Sequence, residues 1–407
     1  MSATHVRVAS IAAIILASAP LAPAQGPTFS TPGITRQASL LVEGQVSPLG
    51  NDFNPAIGAV FDTVAQYLDD GNDSGLDLAL RAFEVTLAAA VDPSAWGYAV
   101  IVYADDEVEL EEAALVYQGF DSNVSLKAGR FFVDFGKQMQ VHEHDLRTFE
   151  RPLVLRSYLG EELGGDGLQL DNWFSVGDST AVRYSVGVFG SLLGESEGDD
   201  PFTPVAFDPE LDSVDELALT ARLTAFTDIA KFQQLQAGLS YRGIPDYEFE
   251  LEASGANLGG LSNHVFGADI TWNMKDETAT KTLTVGGEAL LATGDLSSDV
   301  DDAGTPLDPG DDLLIAVDDE AFGWFAFVDW AWNRFDSVGV QYSQVELPET
   351  GLPDASEVEV YFTHFFSDFH RIRLSASHLD FDGQDDSTRI ALQYTGFLGP
   401  HSHGVNW

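Results

Sequence analysis

The sequence predicts an all-β fold: a transmembrane, antiparallel, up-and-down β-barrel of about sixteen strands, with a long third outer loop folded into its lumen. Three observations predict it. From residue 56 onward, hydropathy alternates with a period of two, so each segment has one apolar and one polar face. The connections between segments alternate in length, as they do where short turns gather at one end of a barrel and long loops at the other. One connection, 132–165, is far longer than a structureless loop inside a compact domain has reason to be, which marks it as functional.

Taken in order, residues 1–25 read as a secretory signal peptide. Arg7 precedes an apolar run from Val8 to Leu21, followed by Ala22-Pro23-Ala24. Residues 26–54, broken by Pro27, Pro32, Pro48 and Gly50, read as a periplasmic arm, and 55–407 as the barrel. Strands are expected at 56–68, 77–91, 95–104, 109–118, 123–131, 166–174, 181–190, 216–226, 232–243, 262–274, 281–292, 321–333, 336–345, 356–366, 369–380 and 387–397. The first of these, begun at Pro55, also reads as a short helix. Most approach the 9–11 residues of a tilted membrane-spanning strand, and the even count suits an outer-membrane barrel. Connections 132–165, 191–215, 244–261, 293–320 and 346–355 are the long ones, and each falls at the same end. Trp96, Trp173, Trp272, Trp330 and Trp332 fall at the opposite end, where an interfacial aromatic belt is expected. The last strand ends near Phe397, and the tail to Trp407 is expected to fold back into the periplasmic mouth after Pro400.

Composition narrows the function. A formal net charge of −46 leaves no basic surface to displace counterions from nucleic acid, so that partner is not expected. The chain has no cysteine, hence neither disulfides nor thiolate metal sites. The expected partners are outer-membrane lipid and small hydrophilic solutes or ions, with a homotrimer as the candidate assembly.

Alternation sends most strand charges to the lumen. The expected wall comprises Arg81, Glu84, Arg183, Arg222, Arg242, Asp269, Glu288, Arg371, Arg373 and Arg389, together with Asp171, Asp329 and Glu359. The expected constriction comprises Lys127, Lys137, His142, His144, Asp145, Arg147, Arg151, Arg156, Glu161 and Glu162. Fixed charges around a wet eyelet would set which ions pass.

His142 and His144 lie two residues apart, so on an extended backbone they point the same way, and neutral imidazoles with carboxylates suit Zn²⁺. The acidic run 295–312 offers carboxylates to Ca²⁺ but lacks the EF-hand spacing, and a solvated outer loop is the plainer reading. No resident cofactor is otherwise expected. Neither G-x-S-x-G nor HExxH occurs, and alternation puts His378 on the opposite face from Ser375 and Ser377, so enzyme activity is not expected.

The stretch LKAGRFFVDFGKQMQVHEHDL…RPLVL…YLGEELGGDGLQL, over about 124–170, resembles outer-membrane porin-like barrels related to phosphate-selective porins, some of them labelled zinc-regulated outer-membrane receptors. Weaker likeness extends to FNPAIGAVFD and GPHSHGVNW. The resemblance implies a barrel that lets small solutes cross the outer membrane. An outer-membrane receptor that captures a metal ion or small ligand on its loops is the alternative. The acidic outer loops lead us to expect mild cation preference.

Overall fold

A computed structural model describes residues 55–399, apart from 72–73, 105, 121, 196–213, 215, 252–255, 279, 302–312, 348–353 and 382–385. The signal peptide, the arm and the tail from Pro400 lie outside the described residues, as does the 302–312 part of the acidic run.

Sixteen antiparallel strands form a closed barrel. They are β1 (Ala56–Asp69), β2 (Ser74–Asp92), β3 (Ala95–Ala104), β4 (Glu107–Tyr117), β5 (Val124–Phe132), β6 (Glu162–Val176), β7 (Thr180–Glu195), β8 (Ala218–Ala230), β9 (Gln233–Leu251), β10 (Ala256–Lys275), β11 (Thr282–Asp301), β12 (Leu313–Ala331), β13 (Asp336–Val345), β14 (Ala355–Ser367), β15 (His370–Phe381) and β16 (Ser387–Leu398). Each strand pairs with its sequence neighbours, and β1 closes on β16 with Val60 opposite Phe397. Closure leaves no unpaired sheet edge, which hydrocarbon would not tolerate.

The outer surface has the chemistry of a lipid-facing wall. Across four neighbouring strands, Val338, Phe362, Leu374 and Leu392 sit in register, with exposures of 41%, 36%, 51% and 47%. Next to these on β14, β15 and β16, Thr363, Arg373 and Gln393 form the matching inward row, all buried. Water would penalise so continuous an apolar outer band, whereas lipid covers it.

Several expectations are corrected. The segment begun at Pro55 is a strand and not a helix. Connections 244–261 and 293–320 are largely strand: β9 and β10 run on to Leu251 and from Ala256, and β11 and β12 to Asp301 and from Leu313. Alternation reveals a strand only where one face is apolar and the other polar, so pairing can run on past the segments it marks. Asp295–Asp301 of the acidic run are therefore strand. Of the five tryptophans, Trp96 is buried inside the barrel, and Trp173 shares the inward face of Gln169 and Asp171, which hydrogen-bond each other. Trp272, Trp330 and Trp332 stand on the outer face as expected, and Tyr117, Phe120, Phe174, Phe232, Phe335, Phe366 and Phe369, all exposed, complete the belt at the short-turn end.

Candidate functional site

Between β5 and β6, residues 133–161 leave the wall and run through the barrel interior. A short 3₁₀ turn (Glu143–Asp145) and a helix α1 (Leu153–Leu159) are the regular elements of this segment. Pro152 caps the start of α1 and Gly160, at φ 88°, ends it. The connection is thus four residues shorter than 132–165 at its β6 end, because Glu162–Gly165 are strand.

A buried segment that is mostly irregular has backbone groups to satisfy. The wall supplies the partners. Wall acids and hydroxyls accept from segment amides: Ser240 from Gly136 (3.0 Å), Glu288 from Lys137 (2.7 Å) and Gln138 (3.2 Å), Glu359 from Phe149 (2.7 Å), and Ser343 from Val154 (3.2 Å). Wall arginines donate to segment carbonyls: Arg81 to Phe149 (2.9 Å), Arg242 to Tyr158 (3.1 Å), Arg373 to Thr148 (2.7 Å) and Leu146, and Arg371 to His144. The chain turns against Glu288 at Gly136, where φ is +54° and a Cβ would collide with the carboxylate.

Side-chain pairs add to this. Asp134, buried, meets Arg183 at 2.7 Å and Arg222 at 3.6 Å and accepts from Ser185 at 2.5 Å, while Arg222 also meets Asp269 at 2.8 Å. Arg147 reaches Asp329 at 3.4 Å, Arg151 reaches Glu162 at 3.2 Å, and Arg156 bridges Glu150 at 3.1 Å and Glu357 at 2.9 Å. Arg81 pairs with Glu143 and Arg389 with Glu150. Lys127 stays on β5, with its ammonium 4.3 Å over the Phe131 ring, and Glu161 is half-buried at the foot of β6.

Apolar side chains fill what remains. Phe135, Met139, Leu153, Leu155 and Leu159 are fully buried and belong to one cluster with Val100, Phe189, Val265, Leu290 and Phe325 of the wall. The predicted wall and constriction residues are thus brought together, and most of them are buried. Their charges are neutralised by one another and by the segment's backbone. The wall positions facing the segment become core because the segment takes them out of water. Towards the short-turn end lies an open cavity of about 270 Å³, lined in part by Asp145, Arg147, Asp329, Arg371 and Arg373.

His142 and His144 sit on the 3₁₀ turn and not on extended backbone; their rings are 5.7 Å apart. Nδ1 of His142 lies 3.5 Å, and Nδ1 of His144 3.2 Å, from Glu84 Oε2. Burial alone would lower both imidazoles. Glu111 and Glu84 outweigh it and hold the His142 pKa well above the usual histidine range, and Glu84 and Asp145 raise that of His144. Sequence reasoning missed Glu111, Glu112, Asp134, Glu150 and Glu357.

Lys137 behaves oppositely. Burial, with Arg147 nearby, lowers its ammonium from 10.5 to about 7. A cation depressed in the folded state binds fewer protons there than in the unfolded chain, so stability rises with pH between the two values. Protease resistance of the inserted segment is therefore expected to increase from pH 7 towards about 10.5, and Lys137→Met to flatten that rise. A profile unchanged by the substitution would contradict the assignment.

Closed, apolar outside and sixteen-stranded, the chain is an outer-membrane β-barrel of porin architecture. Similar solved structures include an anion-selective porin from Comamonas acidovorans (10% identity, TM-score 0.54, covering 84% of this chain and 99% of that one). They also include the outer membrane channel DcaP of Acinetobacter baumannii (10%, TM-score 0.50, 87% and 99%) and in-vitro folded OmpT, an outer membrane protein of Vibrio cholerae (12%, TM-score 0.50, 84% and 97%). At these identities the likeness is one of fold. No family model matches the chain. An uncharacterized protein of Aquifex aeolicus is 35% identical over 96 residues, which is 24% of this chain and 20% of that relative's length.

Proposed function

We propose that this barrel is an outer-membrane channel for small hydrophilic solutes or ions, held closed at rest by residues 133–161. The observation that carries this reading is the paired set of wall charges. Arginines and carboxylates around the interior would line a wet, selective pore if the segment moved, and they are otherwise occupied in holding it. The acidic long connections favour cations at the mouth. The packed interior also suits a receptor that captures a metal ion or small ligand on its loop side without conducting. We read the chain as a non-enzyme in either case.

Planar-bilayer recording tests the proposal. The wild-type barrel is expected to be silent or to open rarely, and whatever current passes is expected to reverse, under a salt gradient, at a cation-preferring potential. Steady open steps from the wild type would overturn the closed resting state, and a clearly anion-selective reversal would overturn the charge argument. Silence that persists after the segment is removed, from a barrel shown to be folded by its heat-shifted migration, favours the receptor.

A further inference from the structure

Where the 3₁₀ turn meets the wall, three side chains from three parts of the chain converge. Glu84 comes from β2, Glu111 from β4 and His142 from the segment, and one donor atom of each lies within 4.8 Å of the others. We propose that these three residues bind a divalent first-row transition-metal ion, which fastens the inserted segment to the wall. The site is independent of whether the barrel conducts.

The arrangement of the imidazole points to a ligand. Nε2 of His142 faces Glu112 Oε1 at 3.2 Å, and Glu112, fully buried, is itself fixed by Tyr98 Oη (2.8 Å) and the Phe132 amide (3.2 Å). A carboxylate there keeps a proton on Nε2, so an ion that displaces the proton from Nδ1 meets a lone pair facing the other way, an arrangement that recurs behind metal-binding histidines. Nδ1 has no hydrogen-bond partner although His142 is 7% exposed. It is aimed at Glu111 Oε2, 3.1 Å away, which also lacks one and whose side chain is 10% exposed. Glu84 Oε2 lies 3.5 Å from the same Nδ1, and its other oxygen accepts from Thr86 at 2.9 Å.

Distances and donor types narrow the ion. Metal–ligand bonds of about 2.0–2.2 Å at tetrahedral angles place donor atoms about 3.3–3.6 Å apart. The two gaps at Nδ1, 3.1 and 3.5 Å, are close to that edge. One imidazole and two carboxylates suit zinc and its first-row neighbours, whereas calcium needs about 6–8 oxygens. A small cleft of about 20 Å³, lined in part by Glu111, Phe132 and Glu162, lies beside the cluster. The positive charge would also offset the carboxylates of Glu84, Glu111 and Glu112, which crowd around one imidazole.

The test is titration of the full-length, chelator-stripped barrel in detergent with Zn²⁺ by calorimetry. One equivalent is expected to bind. Glu111→Gln and His142→Ala should each weaken binding by at least roughly tenfold, and Glu112→Gln, which removes a positioning residue, by about 10–100-fold. His378→Ala, on the exposed end of β15, and a His401→Ala, His403→Ala double variant should leave it unchanged. Should a cluster variant fail to fold, Co²⁺ absorption of the wild type decides. Intense bands of a four- or five-coordinate nitrogen–oxygen site support the proposal, and weak octahedral bands overturn it. Binding that is absent, that survives the cluster variants, or that disappears with His378 or the tail histidines overturns it as well.

Discussion

Excising residues 134–160 and joining the ends with a short glycine–serine linker is expected to change a silent barrel into one that conducts in steady unitary steps. The wall does not depend on the segment for its backbone: every strand pairs with two neighbours, and β1 closes on β16. What the segment supplies is interior filling. Without it, Arg81, Arg242, Arg371 and Arg373 lose the carbonyls they hold, and Glu288 and Glu359 lose their amides. Water can replace every one of those partners, so the wall charges become a hydrated lining and are not left as buried orphans. The apolar inward patch around Phe189, Leu290 and Phe325 is the cost of the excision, and it should reduce stability without preventing closure. A folded, excised barrel that stays silent would show that the segment is not the obstruction.

Asp134→Ala should loosen the segment by about 1–3 kcal/mol, below the roughly 3–5 kcal/mol of a buried ion left wholly unpaired. Asp134 lies where the segment leaves β5, and it faces both Arg183 and Arg222. Neither arginine is wholly stranded by its loss, because Arg183 keeps Asp171 and Arg222 keeps Asp269. The penalty is two guanidiniums left with one carboxylate each, while Ser185 and Gln140 lose their acceptor. Adding Arg183→Met should deepen the loss, since it takes the guanidinium that Asp171 pairs with. The measurement is the urea dependence of segment proteolysis in the folded barrel. A change below about 1 kcal/mol would place Asp134 among the solvated pairs.

Strand number, order and facing were legible because lipid on one side and polar groups on the other force alternation along every spanning segment. The alternation also recorded its own interruptions. Leu76, Leu78 and Leu80 point outward at even positions, but Phe83 and Val85 at odd ones, and β2 slips register opposite Asp62/Thr63, next to Arg81. Val108 and Leu110 give way in the same manner to Leu115 and Tyr117, with the slip in β4 at Glu111. That bulge turns two adjacent glutamates towards His142, which strict alternation would have sent to opposite faces. The change of parity was present in the sequence, and following it would have found Glu111 and Glu112.

The closed interior was harder to see. A loop rich in charge suggests a wet constriction, yet most charges of this one meet opposite charges on the wall, and those matches lie up to 239 positions away in the chain, as Glu150 and Arg389 do. The legible hint was apolar: FFVDF and RPLVLRSYLG carry more large hydrophobics than a solvated loop needs, and Pro152 and Gly160 bracket a helix. Trp96 was misplaced because a tryptophan near a barrel end fits both a belt and a core, and only the packing of β3 against the segment decides which.

The central claim is that residues 133–161 seal the lumen. Because the chain contains no cysteine, Met139→Cys introduces a single thiol at a position within the segment that is 0% exposed. Reaction with a charged methanethiosulfonate reagent is expected to be undetectable over the time in which a Glu277→Cys control, at a side chain 84% exposed on a short turn, reacts completely. Modification of the buried position at the rate of the exposed control, in a folded barrel, would mean that water already fills the interior, and the account would be wrong.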